Sequence, residues 1–203
     1  MRIEIHYLPS IEYLSLLLSQ EQVQFEVYEH FQKQTYRNRA LILGANGIET
    51  LTVPIQHVHS GKMLMKDVRI DYGQNWVRIH QGAIQAAYGK APYFEYFEPY
   101  IRSIFAKKLN FLVDLNIEYI ELFGRILGRK WNYSLSNSFE IEDKDVFWNY
   151  IQAKQDWRER NVYSELAYPQ CFGNTFHPNL SVLDLLMNQG RDANLILNQL
   201  NKK

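Results

Sequence analysis

The sequence has little cysteine, no excess of charge of either sign and no long apolar run. Its single cysteine, Cys171, has no partner for a disulfide within the chain, which is typical of a reducing compartment. The 22 basic and 22 acidic residues cancel, so the composition excludes an overall electrostatic attraction to nucleic acid or to an anionic membrane. The longest apolar run, residues 13–18, is too short for a membrane-spanning helix.

The amino terminus lacks the basic start and the unbroken apolar stretch of a signal peptide. Instead, Arg2, Glu4 and His6 alternate with Ile3 and Ile5, a pattern typical of a β-strand. We therefore expect a cytoplasmic protein that contacts neither membrane nor nucleic acid.

The composition that remains is that of a globular protein. Hydrophobic residues make up 46% of the 203 positions and charged residues 22%, which separates the chain from disordered proteins. No repeat, low-complexity tract or flexible linker divides the sequence. We predict a single domain over residues 1–203, large enough to bury a core without disulfides or a structural metal.

Hydrophobic periodicity predicts a β-rich first half and a helical second half. Ser10 is expected to cap an early helix over residues 11–19, and Asn46-Gly47 to supply a hairpin turn. The predicted strands begin at Ile3 and cover residues 23–27, 39–43, 48–55 and 68–70. The later helices are predicted at residues 75–88, 92–106, 111–127, 146–157, 181–187 and 194–200. This order indicates an α+β fold, or an α/β fold if the first two strands pair in parallel across the early helix.

A dense polar run, residues 31–39, lies between two predicted strands. If the run is extended, Arg37 and Arg39 point the same way and can grip a phosphate or carboxylate through paired hydrogen bonds. The alternative is a solvated strand face whose charge Glu26 and Glu29 balance.

Two features of the predicted helices suggest a site. His80 shares a helical stripe with Trp76 and can be a general base or a histidine at the edge of the core. In the loop that follows, Lys90 can meet an anionic ligand while Tyr88 and Tyr93 stack on a ring, or the loop is a helix corner whose aromatic residues fill the core.

Three weaker pairs complete the candidates. His57 and His59 can share a strand face, but no third metal ligand has a recognisable spacing. Cys171 and His177 have no group to orient them as a nucleophile and base.

Asp184 is explained by a capping box that begins at Ser181, in which the carboxylate returns a hydrogen bond to the first turn. Asn188 then lies one turn further along the same face as Asp184, and the two side chains can line a polar pocket.

Taken together, the chain resembles the WbqC-like family of bacterial proteins that are linked to O-antigen and related polysaccharide gene clusters. The matching residues are His6 with Pro9, Gln32-Lys33 leading to Arg37-Asn38-Arg39, Leu51-Thr52-Val53-Pro54-Ile55, Asp71, Asn75-Trp76 with His80, Ala87-Tyr88-Gly89-Lys90-Ala91-Pro92-Tyr93-Phe94, Pro178-Asn179-Leu180-Ser181, Leu183-Asp184-Leu185-Leu186 and Asn188.

The resemblance implies a transferase that places an aminoacyl group, such as glycyl, on an amino group of a nucleotide-linked sugar. On this basis Arg37, Arg39 and Lys90 hold the nucleotide diphosphate, and His80 or His6 takes a proton from the attacking amine. The other matched positions expected to line the substrate site are Gln32, Lys33, Asn38, Asn75, Trp76, Tyr88, Tyr93, Asp184 and Asn188.

The chain also departs from longer members of that family. Those members have a tryptophan where this sequence has Ser10, and they carry a glycine-rich segment past the middle of the chain, whereas the sequence between Trp131 and Arg160 has no glycine. Two hypotheses therefore stand, a small transferase and a non-catalytic protein that binds a nucleotide sugar or acts as a scaffold. The sequence identifies no cofactor and fixes no oligomeric state, although a net charge of zero leaves little repulsion against self-association.

Overall fold

A computed structural model describes residues 1–56, 62–140, 147–160 and 162–200. The α-helices and β-strands in chain order are β1 (Arg2–Glu4), α1 (Ile11–Leu18), β2 (Val23–Glu26), β3 (Arg39–Gly44), β4 (Gly47–Thr52), α2 (Trp76–Tyr88), α3 (Phe94–Ala106), α4 (Leu112–Ile126), β5 (Tyr133–Leu135), α5 (Val182–Gln189) and α6 (Ala193–Leu200). Short 3₁₀ turns cover Met65–Asp67, Trp157–Arg160 and Gly190–Asp192. The mixture of helices with small sheets confirms the α+β prediction.

A three-stranded parallel sheet, in the order β1-β2-β5, organises the amino-terminal half. Ile3 of β1 lies opposite Phe25 of β2, and α1 is the crossover between these two strands, so the parallel pairing that we considered does occur. Ser10 caps α1 as predicted, because its hydroxyl accepts a hydrogen bond from the Tyr13 N–H at 3.3 Å. The carboxyl ends of all three strands therefore face the same edge.

The predicted hairpin is confirmed. β3 and β4 pair in antiparallel register and close at Gly44 and Gly47. Gly47 has a φ of 114°, a backbone conformation that residues with a side chain rarely adopt, which explains the glycine in this turn.

The helices tie the sheet to the carboxyl-terminal part of the chain. The Asn116 side chain of α4 donates to the Arg37 carbonyl oxygen at 2.9 Å and to that of Ile5 at 3.4 Å. Ser10 and Ser181 form an isolated bridge, which brings the start of α5 next to the start of α1. Residues far apart in sequence thus meet beside β1.

The predicted elements differ from the structure at several places. Residues 68–70 make only isolated bridges, from Ile70 to Ile55 and from Arg69 to Phe111, so no ladder forms. The strand β5 was not predicted, and α3 begins at Phe94 rather than at residue 92.

The helix predicted over residues 146–157 is also wrong for its described part, since residues 147–156 form turns and bends and only Trp157–Arg160 is a 3₁₀ turn. The physical reason is that backbone N–H groups here serve β1. The N–H of Phe147 donates to the Arg2 carbonyl oxygen at 2.6 Å, and that of Asn149 donates to the Glu4 carboxylate. Asn149 also has a φ of 56°, which interrupts helical geometry.

Over the described ranges, no helix is both long enough and apolar enough to cross a bilayer. The longest, α4, has 15 residues, whereas a spanning helix needs about 20.

Candidate functional site

The strand β1 buries side chains on both of its faces. Ile3 and Ile5 enter the hydrophobic core, while Arg2, Glu4 and His6 lie on the opposite face and are also buried. Residues 147–160, which we call the covering segment, contact the Arg2 backbone and the Glu4 carboxylate, while the rings of Tyr13 and Tyr36 pack against His6. A polar face enclosed in this way must find its hydrogen-bond partners within the protein.

Six buried or nearly buried ionisable side chains gather beyond the carboxyl ends of β1 and β2. His6 follows β1 and Glu29 follows β2 in the sequence, and ligands of open parallel sheets bind at such edges. We refer to this group as the buried cluster, and its members are Glu4, His6, Glu12, Glu29, Arg37 and Arg160.

His6 and Glu4 form a hydrogen-bonded pair, with 3.1 Å between Nε2 and Oε1 and no solvent exposure of either side chain. Burial lowers the pKa of His6, and the hydrogen bond to Glu4 offsets this only in part. Burial alone raises the pKa of Glu4, but its bond with His6 and the charge of Arg37 lower it overall. At neutral pH the pair is therefore a carboxylate with a neutral imidazole.

This protonation state fixes the tautomer of His6. An ionised carboxylate only accepts hydrogen bonds, so Nε2 carries the hydrogen and Nδ1 carries a free electron pair. The Nδ1 atom is buried and has no hydrogen-bond partner among the described residues. The ring stacks on Tyr13 with 4.1 Å between centroids. A histidine oriented by a carboxylate, with its second nitrogen free, has the geometry of a general base.

The other members of the buried cluster form two bidentate ion pairs. Arg37 donates to both oxygens of Glu29, each at 2.6 Å, and Arg160 donates to both oxygens of Glu12 at 2.7 and 2.8 Å. Three carboxylates thus face two guanidinium groups, so among the described residues the cluster carries one surplus negative charge while His6 is neutral.

The covering segment supplies a hydrogen-bond donor to each of these carboxylates. The Asn149 N–H donates to Glu4 Oε2 at 2.6 Å, and the Trp148 indole N–H donates to Glu29. Arg160 completes the set at Glu12. A displacement of this segment would therefore leave carboxylate oxygens available to another donor.

His80, the other predicted base, lies in a different network. The Tyr7 hydroxyl is 2.9 Å from His80 Nδ1, and His80 Nε2 is 3.2 Å from the Thr52 carbonyl oxygen. A carbonyl oxygen only accepts, so Nε2 donates to it and Nδ1 accepts from Tyr7. Both nitrogens are occupied, and the geometry favours His6 over His80 for proton transfer.

Burial lowers the pKa of His80 from 6.5 to about 4. The unfolded chain therefore takes up this proton first, and the stability contributed by neutral His80 is present above pH 6.5 and lost between pH 6.5 and about 4. In the unaltered protein the free energy of unfolding should therefore fall between pH 7.5 and pH 4. We expect this fall to be smaller by about 3 kcal/mol in His80→Gln. Urea unfolding of both proteins at pH 7.5 and pH 4 measures it, with the exposed His30→Gln as control. An unchanged pH dependence in His80→Gln would contradict the expectation.

The three cations predicted to hold a diphosphate lie in different environments. Arg37 is 1% exposed and its guanidinium is engaged by Glu29, so the solvated strand face is wrong for this residue. Residues 33–38 form turns and bends rather than extended chain, because Gln34 has a φ of 63°. Arg39 is half-buried with no partner for Nε among the described residues, and Lys90 is exposed in the turn after α2.

Gln32, Lys33 and Asn38, the other predicted residues of this polar run, differ in burial. Gln32 is half-buried and Lys33 is exposed. The buried Asn38 donates to the Val53 carbonyl oxygen at 2.9 Å, which joins the residues flanking the hairpin.

Asn75 stands at the start of α2 as predicted, but it is exposed and its side chain makes no capping hydrogen bond. Trp76 is buried and meets the edge of the His80 ring, with 5.0 Å between centroids.

Asp184 belongs to a second polar group rather than to a capping box. Ser181 caps α5 as expected, but the Asp184 carboxylate accepts from Tyr168 at 2.7 Å and from Gln170 at 2.8 Å instead of returning to the first turn. The Asn188 side chain donates to the Asp184 carbonyl oxygen one turn away. Burial raises the pKa of Asp184, and these two hydrogen bonds to its carboxylate lower it in part.

Tyr88 is fully buried beside Asp184, whose charge adds to the effect of burial in raising the tyrosine pKa. Tyr93, by contrast, is 38% exposed at the entrance to α3. The two tyrosines predicted to stack on one ring thus occupy different environments.

The weaker candidates gain no chemical support. Burial raises the pKa of Cys171, and its thiol donates to Asn188 Oδ1 at 3.4 Å. Among the residues that the structure describes, no three His, Cys, Asp or Glu side chains could hold a metal ion. His57 and His59 lie outside those residues.

The comparisons with known proteins give a family and one distant relative. No solved structure matches the chain. An uncharacterized protein of Mycobacterium tuberculosis, Rv1507c, is 23% identical over 221 aligned positions, which cover 94% of each chain. The model of the WbqC-like protein family matches residues 5–164 and 154–196, a range that contains every member of the buried cluster except Glu4, together with the Asp184 group. This chain therefore belongs to the WbqC-like protein family.

Proposed function

We propose that the chain is a cytoplasmic transferase of bacterial surface-polysaccharide or O-antigen synthesis, or of nucleotide-sugar metabolism, which attaches an aminoacyl group to an amino group of a nucleotide-linked sugar. The resemblance that we described suggests the reaction class. The observation that carries the proposal is the His6–Glu4 pair, in which a neutral imidazole is oriented through Nε2 and keeps Nδ1 free.

The charge of the buried cluster favours an amine as the group that it receives. One surplus negative charge in a buried site is costly unless a cation balances it. An ammonium group has three hydrogens to donate. It can replace the Asn149 and Trp148 N–H groups that Glu4 and Glu29 now accept from the covering segment.

The transfer then needs one base. His6 Nδ1 takes the proton that the ammonium group must lose before its nitrogen can attack. The freed electron pair forms a bond to the carbonyl carbon of an activated aminoacyl ester, and the bond from that carbon to the leaving oxygen breaks. The second proton of the nitrogen leaves with the oxygen, and His6 returns its proton to solvent. Glu4 stabilises the imidazolium while it exists.

Access to the Glu4 and Glu29 carboxylates requires the covering segment to move, since Asn149 and Trp148 donate to them and neither side chain is exposed in the closed form. The substrate competes with this segment for the same carboxylate oxygens. Binding energy from the rest of the substrate is therefore spent in part on opening the site.

The test is a thermal-shift comparison of nucleotide sugars that differ only in an amino or a hydroxyl group on the sugar, with UDP, GDP and dTDP as carriers. A ligand at 100 times its Kd adds about 2.7 kcal/mol, which raises the Tm by several degrees. We expect the amino compound to give the larger shift with one carrier. Glu4→Gln should remove that preference, because the variant loses the charge that attracts the ammonium group.

The matched control is Glu118→Gln, which changes a half-buried carboxylate of the helix α4 that is paired with Lys107. It should keep the preference of the unaltered protein. Equal shifts for amino and hydroxyl sugars would overturn amine recognition and leave a protein that binds nucleotide sugars without turnover. The absence of any shift would overturn the transferase proposal altogether.

A further inference from the structure

A groove between α3 and α4 lies apart from the buried cluster. It consists of two adjoining cavities of about 210 and 260 Å³, which share Tyr96, Phe97 and Arg191 as lining residues. Leu122 and Ile126 of α4 complete the apolar wall of the first cavity. Concave, largely apolar sites with a few charged groups are where small ligands bind.

Three tyrosines line the groove and keep much of their surface in solvent. Tyr93, Tyr96 and Tyr100 are 38%, 57% and 49% exposed. Tyr96 and Tyr100 are one helical turn apart on α3, with 6.2 Å between ring centroids. Tyrosine rings left open in a groove offer a flat apolar face on which a planar ring can stack.

The position of Tyr93 is set by the turn that follows α5. Its N–H donates to the Met187 carbonyl oxygen at 3.1 Å, and its ring lies where a side chain on Gly190 would be. Gly190 also has a φ of 58°, which favours glycine. The Tyr93 ring is thus held by backbone geometry, so this part of the groove wall is formed before a ligand arrives.

Two arginines at the groove are unpaired. Arg125 and Arg191 are exposed, and neither makes an ion pair or a side-chain hydrogen bond with the described residues. Arg37 and Arg160, by contrast, are each held by a carboxylate. No carboxylate lines the first cavity among the residues described there, and Asp192 lines only the second. The groove therefore combines open aromatic faces with two cationic side chains and one carboxylate, which leaves an excess of positive charge.

We propose that this groove binds the nucleoside diphosphate part of the substrate, with the base stacked on Tyr96 or Tyr100 and the phosphates held by Arg125 and Arg191. Guanidinium groups match phosphate oxygens in charge and in geometry. The choice of a nucleotide as ligand rests on the proposed function. This proposal assigns the phosphate contacts to residues other than Arg37, Arg39 and Lys90, of which Arg37 is buried and engaged by Glu29.

The groove and the buried cluster can be tested independently. Asn116 of α4 touches the Arg37 backbone, and Arg125 lies about 14 Å further along the same helix axis, at a rise of about 1.5 Å per residue. Substitutions of the two exposed arginines therefore leave the ion pairs of the buried cluster in place.

The experiment is isothermal titration of the full chain with UDP, GDP and dTDP, each beside its uncharged nucleoside and beside pyrophosphate. We expect one diphosphate to bind, and Arg125→Gln with Arg191→Gln to weaken it by at least about tenfold, because each charged hydrogen bond contributes on the order of a tenfold change in affinity. Tyr96→Ser should weaken the diphosphate and its nucleoside but not pyrophosphate. Arg78→Gln, an exposed cation outside the groove, is the control and should bind as the unaltered protein does.

The outcomes separate this inference from the proposed function. If a nucleotide sugar binds and the arginine pair has no effect on its affinity, the groove is overturned while the transferase proposal stands. If the groove variants lose binding but amino and hydroxyl sugars bind alike, the groove stands and amine transfer fails. Pyrophosphate bound as tightly as the nucleotide would overturn the stacking role of the tyrosines, and no binding of any nucleotide would overturn both proposals.

Discussion

Arg37→Met is expected to lower the free energy of unfolding by about 3–5 kcal/mol, the usual effect of breaking a buried ion pair. Arg37 and Glu29 are 1% and 0% exposed, and two hydrogen bonds of 2.6 Å join them. The substitution keeps much of the side-chain volume but leaves Glu29 buried without its cation. Because a cation is lost, it also raises the surplus of negative charge in the buried cluster. Glu4 in addition loses the charge of Arg37, which lowers its pKa.

Urea unfolding at pH 7 measures the loss. Two further variants serve as a rescue and as a control. Arg37→Met combined with Glu29→Leu should recover a large part of the lost stability, since the uncompensated carboxylate is then gone. Lys107→Met breaks the exposed pair with Glu118 and should cost less than about 1 kcal/mol. A loss of that small size for Arg37→Met would show that the pair is not enclosed as described.

His6→Gln is expected to slow the proposed aminoacyl transfer by about 10²–10⁴-fold, the range attributed to a well-placed general base. Glutamine can still donate a hydrogen bond to Glu4, so the pair that orients the site is kept. It has no basic nitrogen to replace Nδ1, however. The loss should therefore appear in kcat, while KM for the amino sugar changes little.

The dependence of the rate on pH distinguishes a base from a merely structural histidine. Burial holds the pKa of His6 below its ordinary value of 6.5, so in the unaltered protein the rate should fall with acidity only below that pH. In His6→Gln this acid limb should disappear. His80→Gln is the informative comparison, because His80 has no free nitrogen and its substitution should keep the limb. If His6→Gln retains both the rate and the limb, the histidine is not the base.

Local sequence patterns were enough to predict the parts of the fold that depend on neighbours in the chain. The Ser10 cap, the turn at Gly47 and the apolar stripes of the helices are all local features. The strand β5 and the covering segment were not predictable in this way. Their backbone groups are satisfied by β2 and by β1, which lie far away in sequence.

The candidate site shows the same limit. His6 and Arg37 were among the predicted site residues, but the other four members of the buried cluster were missed. For Glu12 and Arg160 the reason is that no spacing links residues that lie far apart in the sequence. One signal was present at the start of the chain. In an alternating strand, charged residues on one face usually point to solvent, and here other parts of the chain, among them the covering segment, bury them.

The pairing of β5 with β2 has a consequence for how the protein is made. Val23 finds its partner, Tyr133, only after the intervening helices have emerged from the ribosome. Until then the outer edge of β2 presents unpaired backbone groups, which are a template for pairing with another chain. Contacts of such long sequence separation also slow folding. A nascent chain truncated before residue 133 should therefore aggregate more readily than one that includes β5.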